Sequence, residues 1–233
     1  MNLLNLKWQD ANNAGDSCCS PCLYFPKFMG ADIVHMNHWR GMDLTRYDSI
    51  LIGGGGLLNE ENLPTIQDIA AQHRKVILWA VGTNSAAPAF DIPSDFGVNV
   101  KGWLRHEHPK FGIGSCPSCM HPALREDTTM IGEKCFVSHK DRLLSPEAGC
   151  RHATNSDDPQ SLIQFIKGHR HIVTNTYHAA YWAWLLGKQV EIVQPWSTKF
   201  TGCVAAWESI GRLQSHMELA RSMYETALTW IHS

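Results

Sequence analysis

Four consecutive glycines follow directly on an apolar run, in Ile50-Leu51-Ile52-Gly53-Gly54-Gly55-Gly56-Leu57-Leu58, and no other stretch of the 233-residue chain restricts its folding as much. Glycine lets a backbone turn sharply and lets other groups approach its N–H closely. The run before it reads as a buried strand. Residues 63–73 follow, with Ile66, Ile69 and Ala70 at helical spacing, and then a second apolar run at 75–81. Strand, helix, strand in that order predicts a parallel crossover unit. The glycines do not make a Walker A loop, since no Gly-Lys-Ser/Thr follows. Nor do they make the dinucleotide fingerprint, because Leu58 or Asn59 stands where the third glycine should be. The plainer alternative is a tight strand-to-helix turn with no ligand.

The same alternation runs through the rest of the chain. Residues 32–34 read as another strand of the first half. Residues 92–123, rich in Gly, Pro, His and Cys, read as a long functional loop or linker with a short strand at 98–104. Beyond it come strand 134–138, helix 159–167, strand 171–174, helix 177–186 and strand 189–193. One or two helices then span 203–231. Asp158 before Pro159 is an N-cap followed by proline at the first helical position. Gly187 is a natural stop for the helix before it. That helix is apolar nearly all round, as befits one packed between layers. The fold class expected is α/β, with two Rossmann-like domains at 1–125 and 126–233 and a binding crevice at the carboxyl ends of the strands.

Composition narrows the partners. A formal net charge of −2 with scattered Lys and Arg leaves no basic excess for a phosphate backbone, so nucleic acid is not an expected partner. The start lacks a signal-peptide pattern and the best apolar stretch, 179–186, is too short to span a bilayer. The expectation is a cytoplasmic protein without an integral membrane segment. In that compartment its eight cysteines read as thiols or metal ligands rather than disulfides. The pairs Cys19/Cys22 and Cys116/Cys119 have C-x-x-C spacing and could make one zinc site only if the fold joins them; otherwise they are packed thiols. Cys116-Pro117-Ser118-Cys119 does not follow a strand and open a helix as a redox motif should. His106-Glu107-His108 lacks zinc-protease spacing and reads as a polar loop face.

Two further segments carry chemistry. Thr174-Asn175-Thr176-Tyr177-His178 lies where a strand meets a helix, where free N–H groups and the helix dipole favour an anion. His178 there can act as acid or base; alternatively Asn175 or Thr176 merely caps the helix and His178 is packed. Asn12-Asn13-Ala14-Gly15-Asp16 offers a carboxylate at a corresponding corner of the first half, where an Asp is more often a cap.

Taken in order, these pieces resemble the polysaccharide pyruvyl transferase family. The matching text is Asn13 to Asp16, Gly53 to Leu58, Trp79-Ala80-Val81-Gly82 and Cys116-Pro117-Ser118-Cys119-Met120-His121-Pro122. It continues with Val137-Ser138-His139-Lys140, Thr174 to Ala180, Leu185-Leu186-Gly187-Lys188 and Lys199-Phe200. The resemblance implies two Rossmann-like domains facing each other as in the B-type glycosyltransferases. It implies a transferase of exopolysaccharide biosynthesis that moves the enolpyruvyl skeleton of phosphoenolpyruvate onto two hydroxyls of a saccharide, free, lipid-linked or nucleotide-linked, as a cyclic ketal. No cofactor beyond that donor and no metal is assigned to the site. On this resemblance His178 is the acid and Asp16 orients or deprotonates the acceptor. Gly54 and Gly55 line the cleft floor, Arg105 and Lys199 are charge partners of the donor, and Asn84, Asn175 and Thr176 bind substrate. Many members carry arginine where Thr176 stands, and a threonine cannot replace a bidentate guanidinium; Arg105, Arg151 and Lys199 are the cations left for that role. Two other readings stay open: a glycosyltransferase using a nucleotide sugar, and a catalytically silent glycan-binding module.

Overall fold

Strands buried on both faces need cover on both faces, and the apolar runs at the start of the chain obtain it by pairing in parallel. The computed structural model describes residues 1–87, 92–94 and 96–233. Among these, Leu3–Lys7 (β1), Asp32–His35 (β2), Ser49–Gly53 (β3), Val76–Val81 (β4), Val100–Leu104 (β5) and Gly112–Ile113 (β6) form one sheet. Its order is β2-β1-β3-β4-β5-β6. Gly132–Ser138 (β7), Arg151–Thr154 (β8), His169–Thr174 (β9) and Gln189–Ile192 (β10) form a second, in the order β10-β9-β7-β8. Every pairing in both sheets is parallel. The chain is therefore α/β, with two Rossmann-like sheets that face each other.

The helices are Ala14–Cys18 (α1), Asn62–Gln72 (α2), Pro159–Lys167 (α3), Tyr177–Leu185 (α4), Cys203–Ile210 (α5) and Leu213–His232 (α6). Asp158 caps α3 as its sequence requires, its carboxylate accepting from the N–H of Gln160 (3.1 Å) and Ser161 (2.8 Å). At the other end of α4, Gly187 takes φ +70. The N–H of Lys188 then bonds the Ala183 carbonyl and that of Gly187 the Trp184 carbonyl, both at 3.0 Å, which closes a Schellman motif.

Two expectations are corrected. Residues 92–123 are not one long loop: they hold β5, β6 and the 3-10 turns Pro117–Met120 and Pro122–Leu124, with residue 95 outside the described ones. β5 starts at Val100 because Val98 is 96% exposed, on a turn. The boundary at 125/126 falls between the two sheets, but α6 crosses back over it. Tyr224 stacks on Phe25 at 4.7 Å, and Lys75 Nζ donates to the Ile231 carbonyl at 2.7 Å.

One core accordingly runs between the sheets, joining Leu3, Leu51 and Trp79 to Ile163, Trp182 and Met223. The far face of the first sheet has a core of its own, where Ile50, Ile52 and Leu78 meet Ile66 and Ile69 of α2. Fully buried side chains of this size each stabilise by roughly 1.5–3 kcal/mol. Among the described residues no helix is long and apolar enough to cross a membrane.

Candidate functional site

Each sheet reverses its direction of growth once. In the first, β1 is followed by β2 on one side and β3 on the other; in the second, β7 is followed by β8 on one side and β9 on the other. Ligands of open parallel sheets bind at the carboxyl ends of strands beside such a switch point. Here both switch points open onto one cavity of about 420 Å³. The segments after β1 and β3 reach it from one side with Asp10, Asp16 and Gly55, and those after β7 and β9 from the other with Lys140, Thr176 and His178.

The tetraglycine turn divides its work. Gly54, at φ +76, is not part of the cavity wall: a Cβ there would strike the Cys19 carbonyl and its Sγ, so this glycine serves close packing. Gly55, at φ +115, lines the cavity, and a Cβ built on it would lie 3.9 Å from Asp16 Oδ1. Of the two glycines expected on the cleft floor, only Gly55 is there, with Gly56 beside it. Gly56 packs so closely on Asn84 that a Cβ would come 2.6 Å from the Asn84 Cβ. Asn84 also lines the cavity, and its Oδ1 is buried with no partner among the described residues.

Asp16 stands in the first turn of α1, whose cap is Asn13 (Oδ1 accepting from Gly15 N at 3.1 Å), so Asp16 is not the cap. Its backbone carbonyl accepts from Lys7 Nζ, while its carboxylate has no hydrogen-bond partner among the described residues. Desolvation pushes that carboxyl up to about 6, against the opposing pull of Lys7. His178 fills the space beside Gly15, where a Cβ would overlap its ring, and its Nε2 lies 3.6 Å from Cys116 Sγ. Burial, then Arg105, Lys199 and Lys7, hold it well below the usual histidine range. At neutral pH the imidazole is therefore uncharged. Burial and the neighbouring cations disfavour the imidazolium, so the ring is a neutral, weakly basic group that can give or accept a hydrogen bond.

Arg105 is buried under the cavity wall. An irregularity in the β4–β5 register places Ala80 at φ +46, and the Ala80 carbonyl accepts from Arg105 Nε at 2.8 Å. Arg105 Nη2 reaches Cys116 Sγ at 3.5 Å, and the guanidinium lies over the Tyr177 ring at 4.2 Å. No carboxylate pairs with it among the described residues, and Nη1 has no partner there. Lys199 is delivered by a strap from the second domain, bounded by Gln194 at φ +46 and Gly202 at φ +71. Thr198 pins that strap to the first domain: Thr83 Oγ1 donates to its carbonyl, Ser85 N donates to its Oγ1, and its own N–H donates to the Ser85 carbonyl, each at 2.9 Å. Lys199 Nζ lies 3.8 Å from the Trp196 ring centroid and has no hydrogen bond or ion pair among the described residues. Desolvation lowers it to about 8; Asp16 opposes the shift, and Arg105 and Arg142 add to it.

The remaining expected residues fall on both sides of the wall. Thr176 lines the cavity and caps α4, accepting from Ala179 N at 3.4 Å. Asn175 does not line it: buried, it accepts from His139 N (2.7 Å) and donates to the Arg142 carbonyl (2.8 Å), bracing the loop after β7. His106 is not on a polar face but buried, and desolvation lowers it to about 4. The two C-x-x-C pairs enter the same core as thiols, yet among the described residues no three His, Cys, Asp or Glu are grouped to hold a metal.

Sequence reasoning missed the ion pair across the cleft, Lys140 Nζ to Asp10 Oδ2 at 2.7 Å, and the aromatic wall of Trp8 and Trp196. Position alone could have suggested Asp10 and Lys140, since each sits just past the carboxyl end of a strand next to a switch point.

No family model matches the chain. A leucine–tRNA ligase of Novosphingobium aromaticivorans is 28% identical over 131 residues, which are 52% of this chain and 15% of the ligase. The chain thus spans a small part of that relative's length. Among solved structures, an uncharacterized protein of Klebsiella pneumoniae matches with a TM-score of 0.54 over 89% of this chain and 88% of its own, at 16% identity. That likeness carries the fold and nothing of function.

Proposed function

We propose that the chain is a transferase of the polysaccharide pyruvyl transferase type, moving the enolpyruvyl skeleton of phosphoenolpyruvate onto two hydroxyls of a saccharide. One observation carries the reading: a carboxylate and an ammonium, Asp16 and Lys199, line one cavity at two facing switch points, and neither has a hydrogen-bond partner among the described residues. Both groups are part-exposed at the cavity wall, where a ligand placed in the cavity can bond them.

The reaction needs a proton for the donor methylene, a base for the acceptor hydroxyls and cations for the carboxylate and phosphate. Arg105 and Lys199 supply the charge that the arginine absent at position 176 would have given. Asp16, protonated in part near pH 6, delivers the proton that turns the methylene into a methyl group. Neutral His178 accepts a hydrogen bond from the attacking hydroxyl, whose proton passes to the Asp16 carboxylate left by the first step. Phosphate then leaves, and the second hydroxyl closes the ketal as its proton passes to the departing phosphate. Trp8 and Trp196 add aromatic side chains to the cavity wall that would hold the sugar.

A thermal-shift screen tests this: phosphoenolpyruvate at millimolar concentration raises the melting temperature, and His178→Ala keeps the fold while losing ketal formation. A shift with nucleotide sugars and none with phosphoenolpyruvate would move the site to glycosyl transfer.

A further inference from the structure

The amine of Lys199 is placed in a way that simple charge pairing does not account for. An exposed lysine extends into water and a paired one meets a carboxylate; this one is folded back on the Trp196 ring, 3.8 Å from its centroid, inside the cavity wall. Asp16 shares the wall, yet no ion pair joins the two among the described residues. Between them lies space for a small molecule, and the Arg105 guanidinium has Nη1 unpartnered at the same wall.

We propose that Lys199 is a nucleophilic amine that condenses with the carbonyl of a small α-keto acid seated in this cavity, with Asp16 as proton carrier and Arg105 as the partner of the acid's carboxylate. The Nζ lone pair attacks the keto carbon and forms the C–N bond. The carbonyl oxygen, after taking up the proton of the amine and one from Asp16, leaves as water. The product is a protonated imine facing the Asp16 carboxylate, and no oxidant or reductant is consumed. The surroundings of Lys199 suit this chemistry. Desolvation and the cations Arg105 and Arg142 lower it to about 8, leaving an appreciable share of free amine near neutral pH, while Asp16 at about 6 is an acid of matching strength.

The inference goes beyond the proposed transfer and does not depend on it, because phosphoenolpyruvate has no carbonyl to condense. The test is reductive trapping: incubate the protein with pyruvate and sodium cyanoborohydride, without phosphoenolpyruvate, then map the adduct by peptide mass spectrometry. One adduct per chain is expected, on Lys199, absent in Lys199→Arg and formed about a hundredfold more slowly in Asp16→Asn. Hydroxyacetone, a ketone without the carboxylate, is expected to label at least tenfold more slowly. No adduct, or adducts spread over exposed lysines such as Lys27 and Lys101, would overturn the proposal, and equal labelling by hydroxyacetone would overturn the keto-acid class. Mapping on the unaltered chain decides the matter even if a variant fails to fold. Loss of pyruvate trapping with a phosphoenolpyruvate thermal shift intact would sink this inference alone.

Discussion

Gly15 owes its lack of a side chain to the imidazole of His178, which occupies the place where a Cβ would stand. Gly15→Ala therefore forces the ring out of the cleft wall. The expected result is a loss of roughly 1–3 kcal/mol in urea denaturation together with loss of the phosphoenolpyruvate thermal shift. A variant as stable as its parent, with binding intact, would mean that the ring is not held where Gly15 meets it. Asp16 gives a second prediction. Its carboxyl holds its proton up to about pH 6 in the folded chain, whereas the unfolded chain releases it near 3.8. Between those values the folded state binds more protons, so stability falls as pH rises through the window. Asp16→Asn removes this loss: its advantage over the parent grows between pH 4 and 6 and levels off at roughly 1–3 kcal/mol by pH 8. Denaturation curves at pH 4, 6 and 8 measure it, and a constant difference would refute the desolvated carboxyl.

Elements differ in how much of their structure is local. The helix α3 is written almost completely into its own residues, with Asp158 as cap, Pro159 behind it and apolar positions at Leu162, Ile163 and Ile166. Asp158→Ala leaves two N–H groups without their acceptor and is expected to cost about 1 kcal/mol in denaturant unfolding. β3 and β4 are equally legible, because strands buried on both faces are continuous apolar runs. β8 is not: Arg-His-Ala-Thr at a sheet edge has no pattern of its own and exists only because β7 pairs with it. The site divides in the same way. Gly55, Asp16, Thr176 and His178 could be read because each lies where a strand gives way to a helix. The bulge at Ala80 that holds Arg105, the neutral state of His178 and the perch of Lys199 on Trp196 all arise from contacts between distant segments, which no local pattern encodes. The same blindness put Gly54 and Asn175 in the cleft, when one packs on Cys19 and the other braces the loop after β7.

Across the whole molecule, the two sheets meet through a shared core on one side and polar ties around the cleft on the other. The Asp10–Lys140 pair is one tie, with both side chains 25% exposed. Its worth is set by partial screening, so a double-mutant cycle of Asp10→Ala and Lys140→Ala is expected to give a coupling energy of about 0.5–1 kcal/mol, falling as salt is raised. A coupling of zero at low salt would remove the pair from the account. Thr198 ties the strap that carries Lys199, and the core beneath keeps the two halves in register. All of this places a cavity lined by Asp16, Arg105, His178 and Lys199 between the two sheets. The most direct measurement is a crystal structure of the protein soaked with phosphoenolpyruvate. Density for the donor between Asp16 and Lys199, with its carboxylate or phosphate toward Arg105, is the result expected; an empty cleft at saturating donor, or donor bound away from His178, would contradict the account.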